Sequence, residues 1–581
     1  MGDIKRTVRI GLVSALPLAA SLASGFPSKG KYCDTPSRCL DPIGAHAMVT
    51  SPNYLASQVG MNVLRDGGNA VDAAVAMAAA LAVVYPQMNT IGGDNFWLIY
   101  NARTRQLRGL NASGRSGEKA TIAFYAAHGF DKAIPPRGYL SANTVPGAVS
   151  GWSEAHAYAR AAIGHELSWP RLLQPAIDLA SQGFPVSPSL ARWEEADTDP
   201  SDPTYRDLQR FDGFRQTFLR PDSEPYRVGE ILTQPDLART LRLIATEGSA
   251  AFYRGPVARK IVADVQAHGG LLTLDDFARH QADWVDPIHV DYRGYQAYNL
   301  PPNTQGFASL EILNILNNID LAKLGEGTAD YYQALVEATR LAFADRDRYL
   351  SDPAFVSVPL DWLLSPAHGR EQAARIDLQH AASQVEPPSP QGDTVWFGVV
   401  DRDGNAASVI QSIYFDFGSG IVPAGTGVLL QNRGSYFSLD PANVNHLEPR
   451  KRTAHTLNPA MLFNDGKPAL VYGTMGGEGQ PQTLAQVVTR IVDFHLTPED
   501  AICAPRFLLG TAWGAASSDL KLEGRIPAAV ADELARRGQP VRVVADYTEV
   551  MGHAGAVLID ADHGVLYGAA DPRGDGLALG E

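Results

Sequence analysis

The sequence predicts an α+β fold in which two stacked β-sheets lie between layers of helices. Helical patterns dominate the chain ahead of the Pro-rich stretch 386–393, and strand patterns dominate after it. The chain has 581 residues, of which 45% are hydrophobic and 19% are charged, and this is the size and composition of a globular protein with a large core. Helices and strands in this proportion fit paired sheets that are covered by helices on both sides.

The first predicted elements form a helical hairpin. Residues 55–64 place apolar side chains on one helical face, and Gly67-Gly68 ends this helix. Residues 70–84 predict a second helix, which is rich in alanine and can therefore pack closely. Within 90–101, a glycine turn leads into a strand.

The remaining elements follow from the same periodicities and turn residues. Further helices are predicted at 154–162, 172–183, 236–247, 255–268, 334–353 and 483–494. Further strands or hairpins are predicted at 290–306, 394–414, 426–438, 462–473, 541–545 and 555–568. The polar, Pro-rich residues 195–229 predict a surface excursion.

The hairpin at 394–414 begins abruptly. The preceding residues 386–393, EPPSPQGD, can continue neither a helix nor a central strand because they contain three prolines and a glycine. Thr394 then opens a strand of β-forming residues, and 403–405 supply the turn to the returning strand. A threonine therefore starts an apolar strand directly after an extended loop.

Two interpretations of Thr394 remain open at this point. It is either a β-branched residue at the start of a strand, or the new N-terminus that forms when the Asp393–Thr394 bond is cut. An N-terminal threonine carries its own base, because an α-amine has a pKa of roughly 7.7–8.0 and can take the proton of the adjacent hydroxyl. Spacing alone does not separate these interpretations.

Charge argues against nucleic acid as a partner. The net charge is −14 and no basic block offsets it, whereas affinity for a phosphate backbone comes mostly from Lys and Arg. The acidic excess indicates solubility.

Residues 1–23 have the pattern of a secretory signal peptide. Basic residues within 1–9 precede an apolar run at 10–23, and Ser21 and Ala23 have the spacing of a cleavage site. This predicts a periplasmic or secreted protein. The alternative is a disordered or misassigned start and a cytoplasmic protein, since Pro17 interrupts the run. No later segment reaches 18 uncharged apolar residues, so we expect no membrane segment in the mature form.

The three cysteines say little about the fold. Cys33 and Cys39 could pair if the protein is exported, and Cys503 is expected to be a small buried residue. His156 and His165 lie nine residues apart without a third ligand in reach, and no metal site is predicted from them.

Nine phrases spread from Ala47 to the C-terminus resemble the gamma-glutamyltransferase family of N-terminal-nucleophile hydrolases. They are LRDGGNAVDAAVA (64–76), TIGGDNFWLIY (90–100), TVPGAVSGW (144–152), LLQPAIDLASQGF (172–184), DYRGYQAYNLPP (291–302), EATRLAFADRDRYLSDP (337–353), GDTVWFGVVDRDGNA (392–406), FGSGIV (417–422) and GTMGGEGQPQT (473–483). Any one of them is weak evidence, and together they are specific.

The resemblance implies a four-layer αββα sandwich and a precursor that cuts itself before Thr394. The products would be a large chain, 24–393, and a small chain, 394–581, held together as a heterodimer, with further dimerisation left open. Thr394 would be both nucleophile and base, forming an acyl-enzyme with an amide substrate. No metal or organic cofactor is expected.

Three further residues match the catalytic motif of the family. Gly476 and Gly477 match the paired glycines whose N–H groups face the developing oxyanion, and the alternative is a tight turn that needs glycine. Ser412 falls where the family has a second threonine, whose hydroxyl holds the amine of the nucleophile. Serine keeps that hydroxyl.

The residues that bind substrate depart from the family. Glutamyl recognition needs an arginine for the α-carboxylate and acidic or amide groups for the α-ammonium. At the corresponding positions this sequence has Ser113, with Arg115 two residues on, Tyr414, Arg433, Tyr436, His455 and Thr456. A substrate ammonium would meet Arg433, a repulsion of roughly 1–4 kcal/mol at 4 Å.

This pocket suits a small anionic amide, and it looks more like the oxamate amidohydrolase branch of the family. Two structural alternatives stay open: Arg433 paired with a buried carboxylate, and His455 as a hydrogen-bonded core histidine.

Three functions are therefore weighed. The first is an autoprocessing amidohydrolase acting on a small carboxylate-bearing amide. The second is a true gamma-glutamyltransferase or glutathione hydrolase. The third is a binding protein that keeps the fold and is not processed.

Overall fold

The structure is a computed structural model. It describes residues 31–32, 41–165, 167–202, 205–382, 393–511 and 517–581, with Asp393 described by its backbone alone. The predicted leader 1–23, the pair Cys33 and Cys39, and residues 386–392 lie outside the described residues. Cys503 is buried, as predicted.

The strands are numbered in chain order. They are β1 (Ile43–Gly44), β2 (Met48–Ser51), β3 (Asp94–Asn101), β4 (Gln106–Asn111), β5 (Phe184–Pro185), β6 (Ile231–Leu232), β7 (Asp283–Val285), β8 (Ile288–Tyr292), β9 (Tyr295–Asn299), β10 (Asp393–Val400), β11 (Ala406–Tyr414), β12 (Ala460–Asn464), β13 (Lys467–Thr474), β14 (Phe507–Leu509), β15 (Leu520–Glu523), β16 (Val541–Val544), β17 (Ala554–Asp560), β18 (Val565–Ala570) and β19 (Leu577–Gly580).

The helices are numbered in the same way. They are α1 (Tyr54–Arg65), α2 (Ala70–Val84), α3 (Ile122–Ala127), α4 (Ala148–Tyr158), α5 (Trp169–Gln182), α6 (Pro188–Thr198), α7 (Asp212–Phe218), α8 (Pro235–Glu247), α9 (Ala250–Tyr253), α10 (Pro256–Ala267), α11 (Leu274–Arg279), α12 (Gly306–Leu316), α13 (Leu321–Leu324), α14 (Ala329–Tyr349), α15 (Leu360–Leu363), α16 (Pro366–Ala373), α17 (Gly479–Val492), α18 (Pro498–Cys503) and α19 (Ala528–Arg536).

Two large sheets form the centre of the molecule. The first has the order β19-β2-β10-β11-β3-β4-β7, and the second has the order β1-β18-β17-β13-β12-β9-β8. All their pairings are antiparallel. Each sheet contains strands from both sides of Asp393, so the two predicted chains share both sheets.

Side-chain alternation along β10 places this strand between two cores. Val395, Phe397 and Val399 join the core that the first sheet forms with helices such as α1, α2 and α5. Trp396 and Val400 point the other way, into the core between the sheets. A third core joins the outer face of the second sheet to α12, α14 and α17. The layers are helix, sheet, sheet and helix, which confirms the predicted αββα sandwich.

Trp396 requires glycine in the facing sheet. A Cβ added to Gly473 or Gly555 would lie 2.0 or 2.5 Å from the indole ring. The Trp396 Nε1–H donates to Ser408 Oγ at 2.9 Å, which satisfies its one polar atom inside the core. The two sheets therefore approach closely next to the start of β10.

The buried helix α2 begins at a capping box. The side chain of Asn69 accepts hydrogen bonds from the amides of Val71 and Asp72, and Asp72 reaches back to the amide of Asn69. All fifteen residues of α2 are buried, which its alanine-rich sequence permits. This helix is confirmed at the predicted bounds, 70–84.

Two sequence predictions were wrong. No hairpin forms at 426–438, because the amides there donate to separate segments: Gln431 N to Gly92 O in a loop, and Asn432 N to Ile413 O in β11. The stretch 195–229 is not a simple excursion, since it contains α7 with the buried rings of Phe214 and Phe218. Among the described residues, no helix is long and apolar enough to cross a membrane.

Candidate active site

Thr394 lies at a bulge at the start of β10. The register with β11 shifts between Asp393, which faces Tyr414, and Val395, which faces Gln411. The Thr394 side chain is fully buried, and its hydroxyl has no hydrogen-bond partner among the described residues. A buried hydroxyl without a partner costs about 1–3 kcal/mol, and a catalytic role is one of the reasons why a protein keeps such a group.

Ser412 lies beside Thr394 on the neighbouring strand. It follows Ile410 by two residues and so faces the space between the sheets, where it is fully buried. Its hydroxyl accepts a hydrogen bond from the amide of Tyr414 at 2.8 Å. Tyr414 ends β11 with a φ of +84°, a conformation that is uncommon for a bulky residue and marks a functional or strained position.

Arg433 brings a buried positive charge to this group. It begins a 3₁₀ turn, Arg433–Tyr436, and is only 1% exposed. Its Nη2 donates to Ser412 Oγ at 3.4 Å and its Nη1 to Thr456 Oγ1 at 3.2 Å. The guanidinium carbon lies 4.1 Å from the centroid of the Tyr414 ring, a cation–π contact.

No carboxylate within 4 Å pairs with Arg433 among the described residues, and its Nε has no hydrogen-bond partner there. Burial lowers its pKa to about 10, so the guanidinium is still charged at neutral pH. Among the described residues Arg433 has no direct ion pair, although its charge attracts that of the buried Asp94, so its structural role as a partner of a buried carboxylate stays open. The arrangement can bind an anion.

Asp94 is the acidic residue of the site, and the sequence analysis missed it. It pairs with Ser412 across the β3–β11 ladder and is fully buried. Its Oδ1 accepts from Gly114 N at 2.9 Å, Gly147 N at 3.1 Å and Gln431 Nε2 at 3.1 Å. Burial raises its pKa to about 6, while the charge of Arg433 opposes that rise.

His455 pairs with the other oxygen of Asp94. Its Nε2 lies 3.3 Å from Asp94 Oδ2, and its Nδ1 accepts from Leu457 N at 3.4 Å. Because Nδ1 is the acceptor, Nε2 carries the proton and donates to Asp94. Burial, together with Arg433, holds the pKa of His455 well below its usual range. His455 is thus a neutral, hydrogen-bonded core histidine, the structural alternative that the sequence analysis kept.

Gly476 and Gly477 form the turn between β13 and α17. Their φ angles are +117° and +54°, and only glycine adopts the first readily. Their carbonyls accept from Gly479 N and Gln480 N, and neither glycine amide donates a hydrogen bond to another group of the described residues. Two unused amides next to the N-terminus of a helix can stabilise a developing negative charge.

Tyr436 connects to this turn through a buried ion pair. Its hydroxyl donates to Glu478 Oε1 at 3.1 Å, and Arg346 Nη2 donates to Glu478 Oε2 at 2.9 Å. Both charged side chains are at most 2% exposed. Gln305 completes the network, because it accepts from Arg346 and donates to Gly477 O at 3.0 Å. Glu478 and Arg346 were not foreseen from the sequence.

The site therefore contains the buried Thr394 hydroxyl, two glycine amides that have no acceptor among the described residues, and the buried guanidinium of Arg433. The sequence profile of gamma-glutamyltranspeptidases matches residues 56–581. The chain belongs to the gamma-glutamyltranspeptidase family. It is an enzyme of the N-terminal-nucleophile hydrolase class, as the sequence resemblance implied.

Two proteins of known name and one solved structure are similar to this member of the gamma-glutamyltranspeptidase family. The glutathione hydrolase-like YwrD proenzyme of Bacillus subtilis is 46% identical, over 93% of this chain and 99% of the relative. The oxamate amidohydrolase proenzyme of Klebsiella pneumoniae is 43% identical, over 93% and 99%. The crystal structure of cephalosporin acylase from Bacillus halodurans superposes with a TM-score of 0.85 at 38% identity, over 96% and 99%.

One predicted substrate residue of this family member lies apart from the others. Arg115 pairs with Asp283 at 3.2 Å, which Arg452 also binds, and Arg115 has no contact with Thr394 or Arg433 among the described residues. The adjacent Ser113 is buried and donates to Asn111 Oδ1 at 2.7 Å. The structure brings together Thr394, Ser412, Tyr414, Arg433, Tyr436, His455, Thr456, Gly476 and Gly477, and it does not bring Arg115 to them.

Proposed function

We propose that this chain is an autoprocessing amidohydrolase that cleaves the amide of a small carboxylate-bearing substrate, with oxamate as the type compound. The observation that carries the proposal is Arg433. It is a buried cation with no carboxylate oxygen within 4 Å among the described residues, and it hydrogen-bonds Ser412 next to Thr394. A substrate carboxylate would supply a direct counter-ion.

Maturation would begin at the Asp393–Thr394 bond. The Thr394 hydroxyl attacks the carbonyl carbon of Asp393, its proton passes to the amide nitrogen, and the C–N bond breaks to leave an ester. Water then hydrolyses the ester, giving the Asp393 carboxylate and a free Thr394 with an amine and a hydroxyl. The relatives named as proenzymes support this step. The products are the large chain 24–393, if the leader is removed on export, and the small chain 394–581.

Catalysis would use the same hydroxyl on the substrate. The Thr394 amine takes the hydroxyl proton as the oxygen attacks the substrate amide, and the amides of Gly476 and Gly477 stabilise the oxyanion. The C–N bond breaks, and the leaving amine takes the proton from the Thr394 ammonium. Water then attacks the threonyl ester, with the amine as base again. For oxamate the products are ammonia and oxalate.

Ser412 and Thr456 would hold the reacting groups in place. Both hydroxyls bind the Arg433 guanidinium, and Ser412 also lies beside the nucleophile. A small anionic amide can therefore place its carboxylate on Arg433 while its carbonyl faces Thr394. The ring of Tyr414 covers one face of the guanidinium and reduces its contact with water.

Gamma-glutamyl hydrolysis is the second candidate, because the relative at 46% identity is named glutathione hydrolase-like. Asp94 is the carboxylate of the site that could bind the α-ammonium of a gamma-glutamyl substrate. However, its two oxygens are already engaged by two amides, Gln431 and His455. An α-ammonium next to Arg433 is repelled by roughly 1–4 kcal/mol, which favours the first candidate.

A paired assay tests the proposal. The processed protein is given oxamate, with ammonia as the readout, and separately a chromogenic gamma-glutamyl anilide. We expect turnover of oxamate that is lost in Thr394→Ala and unchanged in Arg450→Met, a surface control. Rapid anilide hydrolysis without any ammonia from oxamate would instead favour the second candidate.

A further inference from the structure

Three buried side chains from three helices meet outside the active site. Glu311 lies on α12, Asp345 on α14 and His368 on α16. His368 Nε2 lies 3.2 Å from Glu311 Oε1 and 2.9 Å from Asp345 Oδ2, and the three ligand atoms all lie within 4.8 Å of one another. The sequence analysis, which found no third ligand near His156, did not detect this group because its members are far apart in the chain.

Hydrogen bonds inside the protein do not satisfy this cluster. Glu311 is fully buried, and its second carboxylate oxygen, Oε2, has no partner among the described residues. The Nδ1 of His368 is also buried without a partner there. A buried carboxylate next to a second carboxylate is costly unless a positive charge lies between them.

We infer that Glu311, Asp345 and His368 bind a divalent first-row transition metal, with Zn²⁺ as the best fit. One imidazole and two carboxylates form a ligand set that Zn²⁺ accepts. Tetrahedral bonds of about 2.0–2.1 Å place ligand atoms about 3.3 Å apart. The separations at His368, 3.2 and 2.9 Å, are close to that value.

Neighbouring side chains hold two of the proposed metal ligands, Asp345 and His368, in position. Gln372 Nε2 donates to Asp345 Oδ2 at 3.0 Å, so the carboxylate is held by a second hydrogen bond. The ring of Trp362 packs 4.1 Å from the His368 ring and is itself 46% exposed. The cluster thus lies one side chain below the surface, within reach of an ion from solution.

The position of the cluster suggests what the ion would do. Asp345 is followed by Arg346, whose guanidinium pairs with Glu478 directly after the oxyanion turn. His368 lies on α16, which among the described residues is the last helix before Asp393. An ion here would tie α12, α14 and α16 together and stabilise the end of the large chain after cleavage.

The rival explanation is a proton shared by the two carboxyl groups. Burial and the neighbouring Asp345 raise the pKa of Glu311 well above its usual range, so a neutral Glu311 would also reduce the repulsion. The two explanations differ in their response to Glu311→Gln. If the two carboxyl groups share a proton, Glu311→Gln should leave the stability of the protein nearly unchanged, because Gln resembles protonated Glu. If the cluster binds a metal, the same substitution should remove the bound ion.

Metal content and thermal unfolding of the full processed protein decide between them. After EDTA treatment and gel filtration, Zn²⁺ is added in small excess, and bound metal is measured by mass spectrometry. We expect one Zn²⁺ per chain pair and a melting temperature raised by about 2 °C or more. Glu311→Gln and His368→Ala should lose both effects.

His380→Ala is the matched control, because His380 is an exposed histidine in the same region, 79% exposed and paired with Asp377. It should bind Zn²⁺ as the wild type does. Wild-type protein that retains less than about a tenth of an equivalent and melts at the same temperature with or without Zn²⁺ would overturn the proposal. This holds even if one of the variants fails to fold.

Discussion

The guanidinium of Arg433 and the hydroxyl of Ser412 are joined by a hydrogen bond of 3.4 Å, and Ser412 lies on the strand that pairs with the start of β10. This hydrogen bond holds the positive charge of Arg433 in a fixed position relative to β10, the strand that carries Thr394. Under the proposed function, this position of Arg433 would favour a substrate carboxylate over a substrate ammonium next to Thr394.

Replacement of Thr394 by alanine should abolish processing, because no hydroxyl remains to attack Asp393. A denaturing gel should show one unprocessed band for Thr394→Ala and two for the wild type, the smaller with the 188 residues 394–581. Thr394→Ser should process, because it keeps the hydroxyl. Two bands from Thr394→Ala under native maturation conditions would contradict the role given to this residue.

Replacement of Arg433 by methionine should lower the activity of the enzyme without lowering its stability. We expect kcat/KM for oxamate to fall by about 10²-fold or more, because a buried charge-assisted contact to the substrate carboxylate is lost. The free energy of unfolding should be unchanged or higher, since a buried charge without a direct ion pair among the described residues is removed. Activity assays and urea unfolding check the two parts. A variant that unfolds more easily would indicate a structural role for Arg433.

Asp94 should make stability depend on pH in a direction opposite to that of most carboxylates. Its folded pKa of about 6 lies above the ordinary value, so the folded state holds the proton more tightly than the unfolded chain. The free energy of unfolding therefore decreases as the pH rises from about 4 to about 6 and then levels off. The contribution is about 3 kcal/mol in total.

Asp94→Asn should remove this contribution. Relative to the wild type, the variant should gain stability between pH 4 and pH 7, and denaturant unfolding at several pH values measures the difference. Asp178→Asn, a change at the half-buried hydrogen-bond partner of Gln174 on α5, is the control. A constant difference between Asp94→Asn and the wild type across this range would contradict the raised pKa.

The ion pair of Arg346 and Glu478 should behave as a coupled unit. Arg346→Met leaves the buried Glu478 without its cation and should cost about 3–5 kcal/mol, whereas Glu478→Gln should cost less because Arg346 keeps its ion pair with Asp347. The double variant should be more stable than the sum of the two losses predicts. A double-mutant cycle from urea unfolding measures the coupling, and additive losses would show that the two side chains act separately.

The sequence predicted the parts of this protein that depend on local pattern. The α2 helix and the β10–β11 hairpin have the predicted bounds because their caps, turn residues and alternation are contained in short segments. Thr394, Ser412 and the Gly476-Gly477 pair were singled out because they match motifs of the family. Their catalytic roles stay predictions.

The parts that were missed depend on contacts between distant segments. Asp94 meets His455 only after two sheets have stacked, and nothing near residue 94 signals that contact beyond an acidic residue at the start of an apolar strand. The apolar residues near Leu430 have the pattern of a strand, but their amides donate to three separate segments, at Ile421, Gly92 and Ile413, and so form no ladder with a single partner strand. Arg115 was a candidate by nearness to Ser113 in sequence, and tertiary packing directs it to Asp283 instead.

Strand β10 runs between β2 and β11, with hydrogen bonds to a segment from each side of the Asp393–Thr394 bond. A cut at that bond would leave the two polypeptides interlocked by ladder hydrogen bonds and by the packing of Trp396. Dissociation would then demand the same disruption as global denaturation, so a nicked molecule should melt in one cooperative transition and release neither fragment beforehand.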